Sequence, residues 1–244
     1  MIDINRINEA FDNYVRNYDM NNELIHLKYN HTYRVSVQST KICESLNLDE
    51  EDTNLAYLIA MLHDIGRFPQ AKIYGTFNDS KSVDHADLGC KILFEEGVIR
   101  NFIEDTKYDE IIRKAICYHN KYEIGSCNEK ELLHSRIIRD ADKIDIIHNI
   151  VNLGYIKLND DESKVSQLVK EEFDKEKPID HKYKNVKNDA IVTIIAFVFD
   201  LNFKYSFNYF KDNKFMDKML NKLNNKKIFE YYIESAKKYI ERKC

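Results

Sequence analysis

Only 6 glycines and 2 prolines interrupt the 244 residues of this chain. A β-sandwich or barrel needs frequent tight turns, and those two residues make most of them. Their scarcity points to long helices and an all-α fold. The apolar spacing agrees: Leu55, Leu58, Ile59 and Leu62 recur at helical intervals, so one face of that segment is buried. The same periodicity predicts helices over 3–18, 22–46, 50–64, 84–96, 108–119 and 129–151. Residues 155–188 are polar and read as a helical excursion with exposed connections. The β-branched run Ile191-Val192-Thr193-Ile194-Ile195 finds no partner strand elsewhere, so 189–210 is expected as buried helix. Residues 213–242 read as one or two Lys-rich amphipathic helices. The expected organisation is an N-terminal helix over 1–21 packed on the core, a core over 22–154, and a helical extension over 155–244 belonging to the same domain.

Composition excludes several classes of function. The net charge of −4 is small, and no basic block suggests a surface for a nucleic-acid polymer. Met1-Ile2-Asp3-Ile4-Asn5 has no signal-peptide pattern, and the longest apolar stretch, Ala190 to Phe199, is too short to span a bilayer. A cytoplasmic chain without a membrane partner is expected. The five cysteines, Cys43, Cys90, Cys117, Cys127 and Cys244, form no C-x-x-C pair and read as reduced core or incidental residues.

The chemistry concentrates on histidine and aspartate. The apolar run Ala60-Met61-Leu62 ends in His63-Asp64, then Ile65-Gly66, with Gly66 expected as a left-handed helix stop. His31, His85 and His119 each fall on or at the end of a different predicted helix, beside an apolar face. Asp142 lies one turn after Ile138. Four imidazoles and two carboxylates converging from five helices suit two divalent metals that share a carboxylate. The loop from Gly66 to Val83 is the longest unpatterned stretch of the first half, and such loops inside a compact domain are usually functional or disordered.

The ordered strings Asn30-His31-Thr32, Leu62-His63-Asp64-Ile65-Gly66-Arg67-Phe68, Asp84-His85-Ala86, Tyr118-His119-Asn120 and Arg139-Asp140-Ala141-Asp142-Lys143 resemble the HD-domain superfamily of metal-dependent phosphohydrolases. The resemblance covers roughly residues 22–150. It implies an HD-type helical bundle with additional C-terminal helices. It also implies that His31, His63, Asp64 and Asp142 hold one metal, that His85 and His119 add a second, and that Asp64 bridges the two and orients a metal-bound hydroxide; in a mononuclear reading His85 and His119 instead contact the substrate phosphate or an attacking water. Nitrogen and oxygen ligands without thiolate fit Mn, Fe, Ni, Co or Zn. The implied reaction is hydrolysis of a phosphate ester of a nucleotide or small phosphorylated metabolite, with Arg67, Lys81 and Lys143 as candidate phosphate contacts. Two other readings use the same ligands: a mixed-valent di-iron oxygenase, and a metal-containing nucleotide sensor without turnover. The chain has neither the paired histidine nor the Gly-Tyr-Pro segment of the cyclic-di-nucleotide phosphodiesterases of this type, and oligomeric state is not written in it.

Overall fold

The computed structural model describes residues 2–244, and among them there is no strand. The chain divides into two compact units, the first ending at Ala141 and the second beginning at Asp142.

Helices α1 (Ile4–Val15), α2 (Glu23–Ser45) and α3 (Glu50–Leu62) start where a short polar side chain satisfies the free amides of a first turn. Asp3 accepts from the Asn5 and Arg6 amides, Asn22 from that of Leu24, and Asp49 from that of Asp52. Helices α2 and α3 form a hairpin across residues 46–49. The buried face of α1, Ile7, Phe11 and Val15, closes over it. Phe11 meets Tyr33 and Phe68 edge-on and Tyr29 in a stack, ring centroids 5.7, 5.8 and 6.0 Å away, geometries that aromatic quadrupoles favour.

Two local expectations are corrected. The stretch after His63-Asp64 is not one long loop, because Arg67–Tyr74 forms α4. Pro69 sits in its first turn, where a missing N–H costs nothing, and Gly75 at φ 62° closes it. Gly66 is not a left-handed stop either. Its φ is −68°, and its need is clearance. A Cβ there would lie 2.2 Å from the His85 carbonyl oxygen and 2.8 Å from the Gly89 nitrogen.

Helix α5 (His85–Cys90) begins on its Asp84 cap and runs into a wider turn over Lys91–Glu95. Helices α6 (Ile99–Phe102) and α7 (Asp109–Tyr118) follow. Cys90 and Cys117 are joined in a disulfide between α5 and α7. This corrects the expectation of reduced cysteines: the two stand 27 residues apart in sequence, but helix packing brings their Cα atoms to 6.3 Å. Helix α8 (Glu129–His148) runs through the division between the units.

In the second unit, α9 (Gln167–Phe173) and α10 (Lys187–Ile195) are tied by Asp189, which accepts from the Ser166, Asn185 and Val186 amides. The β-branched run is helical in α10, and the aromatic stretch breaks at 201–203 before α11 (Lys204–Asp212). The Lys-rich tail is α12 (Phe215–Lys222) and α13 (Lys226–Lys243), with Asp160 accepting from the amides of Asn224 and Asn225 at the α13 start. Phe173, Phe199 and Tyr232 supply aromatic packing, with ring centroids 4.9 and 5.0 Å apart. No helix among the described residues is long and apolar enough to cross a membrane.

Candidate metal centre

The first unit gathers five of the six ligand candidates. His31 comes from the middle of α2, His63 caps the end of α3, Asp64 follows it, His85 opens α5, and His119 caps α7. None is more than 4% exposed. A carboxylate so buried requires positive partners.

Asp64 has two faces. Its Oδ2 lies 3.4 Å from His31 Nε2 and 3.5 Å from His63 Nε2. Its Oδ1 lies 3.4 Å from His85 Nε2 and 3.8 Å from His119 Nε2. Each oxygen therefore serves one imidazole pair, and each pair with Asp64 forms a cluster whose ligand atoms lie within 4.8 Å of one another.

The outer ring nitrogens are already committed. His63 Nδ1 donates to the Ala60 carbonyl and His119 Nδ1 to the Ile116 carbonyl, both at 2.7 Å. His85 Nδ1 donates to Asp79 Oδ2, also at 2.7 Å. A neutral imidazole that donates from Nδ1 carries its lone pair on Nε2. The Nε2 atoms of His85 and His119 nevertheless face each other at 2.9 Å, and those of His31 and His63 at 3.3 Å. Between His85 and His119, where both Nδ1 atoms donate, the facing lone pairs of neutral rings repel unless a cation lies against both. Nitrogen ligands about 2.1 Å from one ion stand roughly 3.0–3.4 Å apart at right-angle or tetrahedral positions. The donor set thus fits divalent transition ions in both its chemistry and its spacing.

Charge around Asp64 supports the same reading. Burial alone would raise its carboxyl, but Lys28, His63, His31 and His85 hold it well below the usual carboxylate range. Lys28 Nζ is 2.5 Å from Asp64 Oδ2, and Arg67 Nε is 3.6 Å from Oδ1. That Arg67 nitrogen is buried without a hydrogen-bond partner among the described residues. The two cations flank the Phe77 ring, at 5.4 Å for Lys28 and 5.3 Å for Arg67. Burial pushes the His85 imidazole toward its neutral, ligating form against the pull of Asp79.

The surrounding residues fix these positions. Arg67 Nη1 donates to Gln70 Oε1, the Phe77 carbonyl and Asp79 Oδ1, each at 2.8 Å. Gln70 Nε2 donates to Asp79 Oδ1, Ser82 Oγ and the Val83 carbonyl. Together they hold the segment between α4 and α5, and Asp79 within it orients His85. Arg139 Nη1 donates to the carbonyls of Tyr118 and Lys121 at 2.7 and 2.6 Å, securing the chain on either side of His119.

The remaining candidates are placed as follows. Arg67 borders the cluster. Lys81 is exposed, at the end of the short turn Asp79–Lys81. Asp142 belongs to the second unit, one residue past Ala141 on α8. Lys143, in that unit, pairs with Asp200 at 2.6 Å. Sequence reasoning missed Lys28, Gln70 and the Asp79–His85 bond. Lys28 had one signal, its position one helical turn before His31.

Residues 29–147 match the family model of the HD domain. This segment is an HD domain. The match opens two residues before His31 and closes five after Asp142, so every ligand candidate lies inside it. No curated protein and no solved structure matches the chain. HD domains bind divalent metals and are mostly metal-dependent phosphohydrolases, and the His/Asp clusters of this one are compatible with such a centre.

Proposed function

We propose that this HD domain hydrolyses a phosphate ester of a nucleotide or a small phosphorylated metabolite, with two divalent transition ions held in the first unit by His31, His63, Asp64, His85 and His119. The observation that carries the reading is the two-faced Asp64, one oxygen to each imidazole pair. Ions bound there supply Lewis acidity toward the phosphoryl oxygens and toward water. The protein's own contribution is positional and electrostatic. His63, His119 and His85 each turn Nδ1 to a carbonyl or carboxylate acceptor and so present Nε2 to the cluster. Asp64 stays ionised between them. Lys28 and Arg67 add positive charge at its edge, suited to a substrate with phosphoryl oxygens. Lys81 and Lys143 are weaker candidates for that contact, one exposed and the other engaged by Asp200.

The test is elemental analysis of the purified chain, followed by assays on phosphate monoesters, diesters and nucleotides with and without O₂. Near two transition-metal atoms per chain and hydrolysis that persists without O₂ are expected. His63→Ala and Asp64→Asn should lose bound metal and turnover together. Undiminished metal content in either variant overturns the ligand assignment. Turnover that requires iron and O₂ overturns the hydrolase reading in favour of an oxygenase. Tight nucleotide binding by the metal-loaded chain with no turnover would favour a sensor.

A further inference from the structure

The disulfide lies outside the ligand set but on the two helices that deliver two of its four histidines, His85 and His119. Cys90 is the last residue of α5, five positions after His85. Cys117 lies on α7, two positions before His119. Helix α5 is only six residues long, too short to be stable alone, so its position depends on what it is fastened to. On one side Gly89 lies against Gly66, Ile65 and Ile116. Asn120 and Lys121, just past α7, donate to the α5 cap Asp84, and Lys121 also reaches Asp87; the covalent fastening is Cys90 to Cys117. The remaining cysteines, Cys43, Cys127 and Cys244, are free.

Two features suit this pair to cycling. Cys90 is 8% exposed, whereas Cys117 is only half-buried, the more accessible residue of the two. Cys90 Sγ also lies 3.7 Å from the Arg113 carbonyl, one turn before Cys117, so a reduced thiol there has an acceptor for its proton. Neither redox state strands the buried sulfur.

We propose that Cys90 and Cys117 form a reversible thiol–disulfide clamp that fastens α5 to α7 and so fixes the spacing of His85 and His119. Its effect on ion binding rests on the metal-centre reading above. The oxidant is a low-molecular-weight disulfide. The Cys117 sulfur attacks one of its sulfurs, the small S–S bond breaks, and one small thiol leaves carrying the Cys117 proton. The Cys90 sulfur then attacks the Cys117 sulfur of the mixed disulfide. The second small thiol leaves with the Cys90 proton, and the protein S–S bond is complete. Two electrons pass from the protein to the small disulfide, and a small thiol in excess reverses both exchanges.

The whole chain is equilibrated in buffers of graded glutathione to glutathione-disulfide ratio, then alkylated and mapped by mass spectrometry. Hydrogen exchange is measured on parallel samples, with Cys90→Ser/Cys117→Ser as the reference. A Cys90–Cys117 bond should form in one two-electron transition, and exchange over α5 and α7 should slow about tenfold across it, the scale of a local opening made harder. The double variant should exchange like the reduced chain at every ratio. A chain that stops at a Cys117–glutathione adduct, or exchange that does not change with oxidation, overturns the clamp. Titration with Mn²⁺ separates the two readings. Weaker binding of one ion in the reduced chain supports the coupling, and equal binding in both states overturns it. If neither state binds Mn²⁺, the metal-centre reading fails and the exchange data alone decide the clamp.

Discussion

Lys28 is the residue whose role the sequence hid most completely. A lysine one turn before a histidine on an amphipathic helix reads as part of a solvated face. Its side chain is instead largely buried against Asp64, with Phe77 below it. Lys28 is a charge partner of the carboxylate and no metal ligand, and this separates two readouts. Lys28→Met should leave metal content unchanged and metal affinity equal or tighter, because a competing cation has gone. It should lower kcat/KM on phosphate esters by roughly 10- to 100-fold, the loss of one charge-assisted hydrogen bond worth about 1.5–3 kcal/mol. Steady-state kinetics beside elemental analysis checks both, and a variant with unchanged kcat/KM would leave Lys28 a purely structural ion pair.

Between elements, the pairing of α8 with α3 through His134 and Asp52 carries a pH signature. His134 Nε2 is 3.1 Å from Asp52 Oδ1, and its Nδ1 is buried without a partner among the described residues. Burial lowers the His134 pKa from its ordinary 6.5, and Asp52 offsets only part of that. Above pH 6.5 folded and unfolded chains both hold His134 neutral, so it adds no pH dependence there. Below that, the unfolded chain takes up a proton that the folded chain resists. Stability is therefore lost as pH falls from 6.5 through the folded pKa. The Asp52 carboxyl is lowered from 3.8, so its contribution fades only at more acid pH. Urea denaturation at stepped pH should show a decline between pH 6.5 and 4.5 that is shallower in His134→Gln, and equal slopes would remove His134 as its source. Legibility at this scale followed local rules. The helix starts expected at 50 and 84 agree with the caps Asp49 and Asp84. Helix α4 stayed hidden because Pro69 and Gly75 read as breakers, although one occupies a first turn and the other a C-terminal stop. The Cys90–Cys117 pair could not be read at all, since it depends on how α5 packs against α7.

For the molecule as a whole, the sequence carried the all-α class and the order of the metal-binding candidates, because each histidine sits at its own place on a separate amphipathic helix. It did not carry the network behind them, since Gln70, Asp79 and Arg139 acquire their partners only through the fold. Ion binding should register in global stability. An ion at about 100 times its Kd adds about 2.7 kcal/mol, which for a chain of this size raises Tm by roughly 5–10 °C. Thermal melts with Mn²⁺ should show that rise in the parent chain and none in Asp64→Asn; an equal rise in both would place the ion elsewhere. The crossing of Gly66 under His85 has a separate consequence, for mutational tolerance. Gly75 and Gly97, at φ 62° and 77° with open space where a Cβ would go, should accept asparagine, which tolerates left-handed backbone. Gly89, whose added Cβ would meet only ordinary contacts at 3.4 Å and beyond, should accept alanine. Gly66 has backbone on the side where a Cβ would stand, and in a library varied at every position and selected for function it should return as glycine alone.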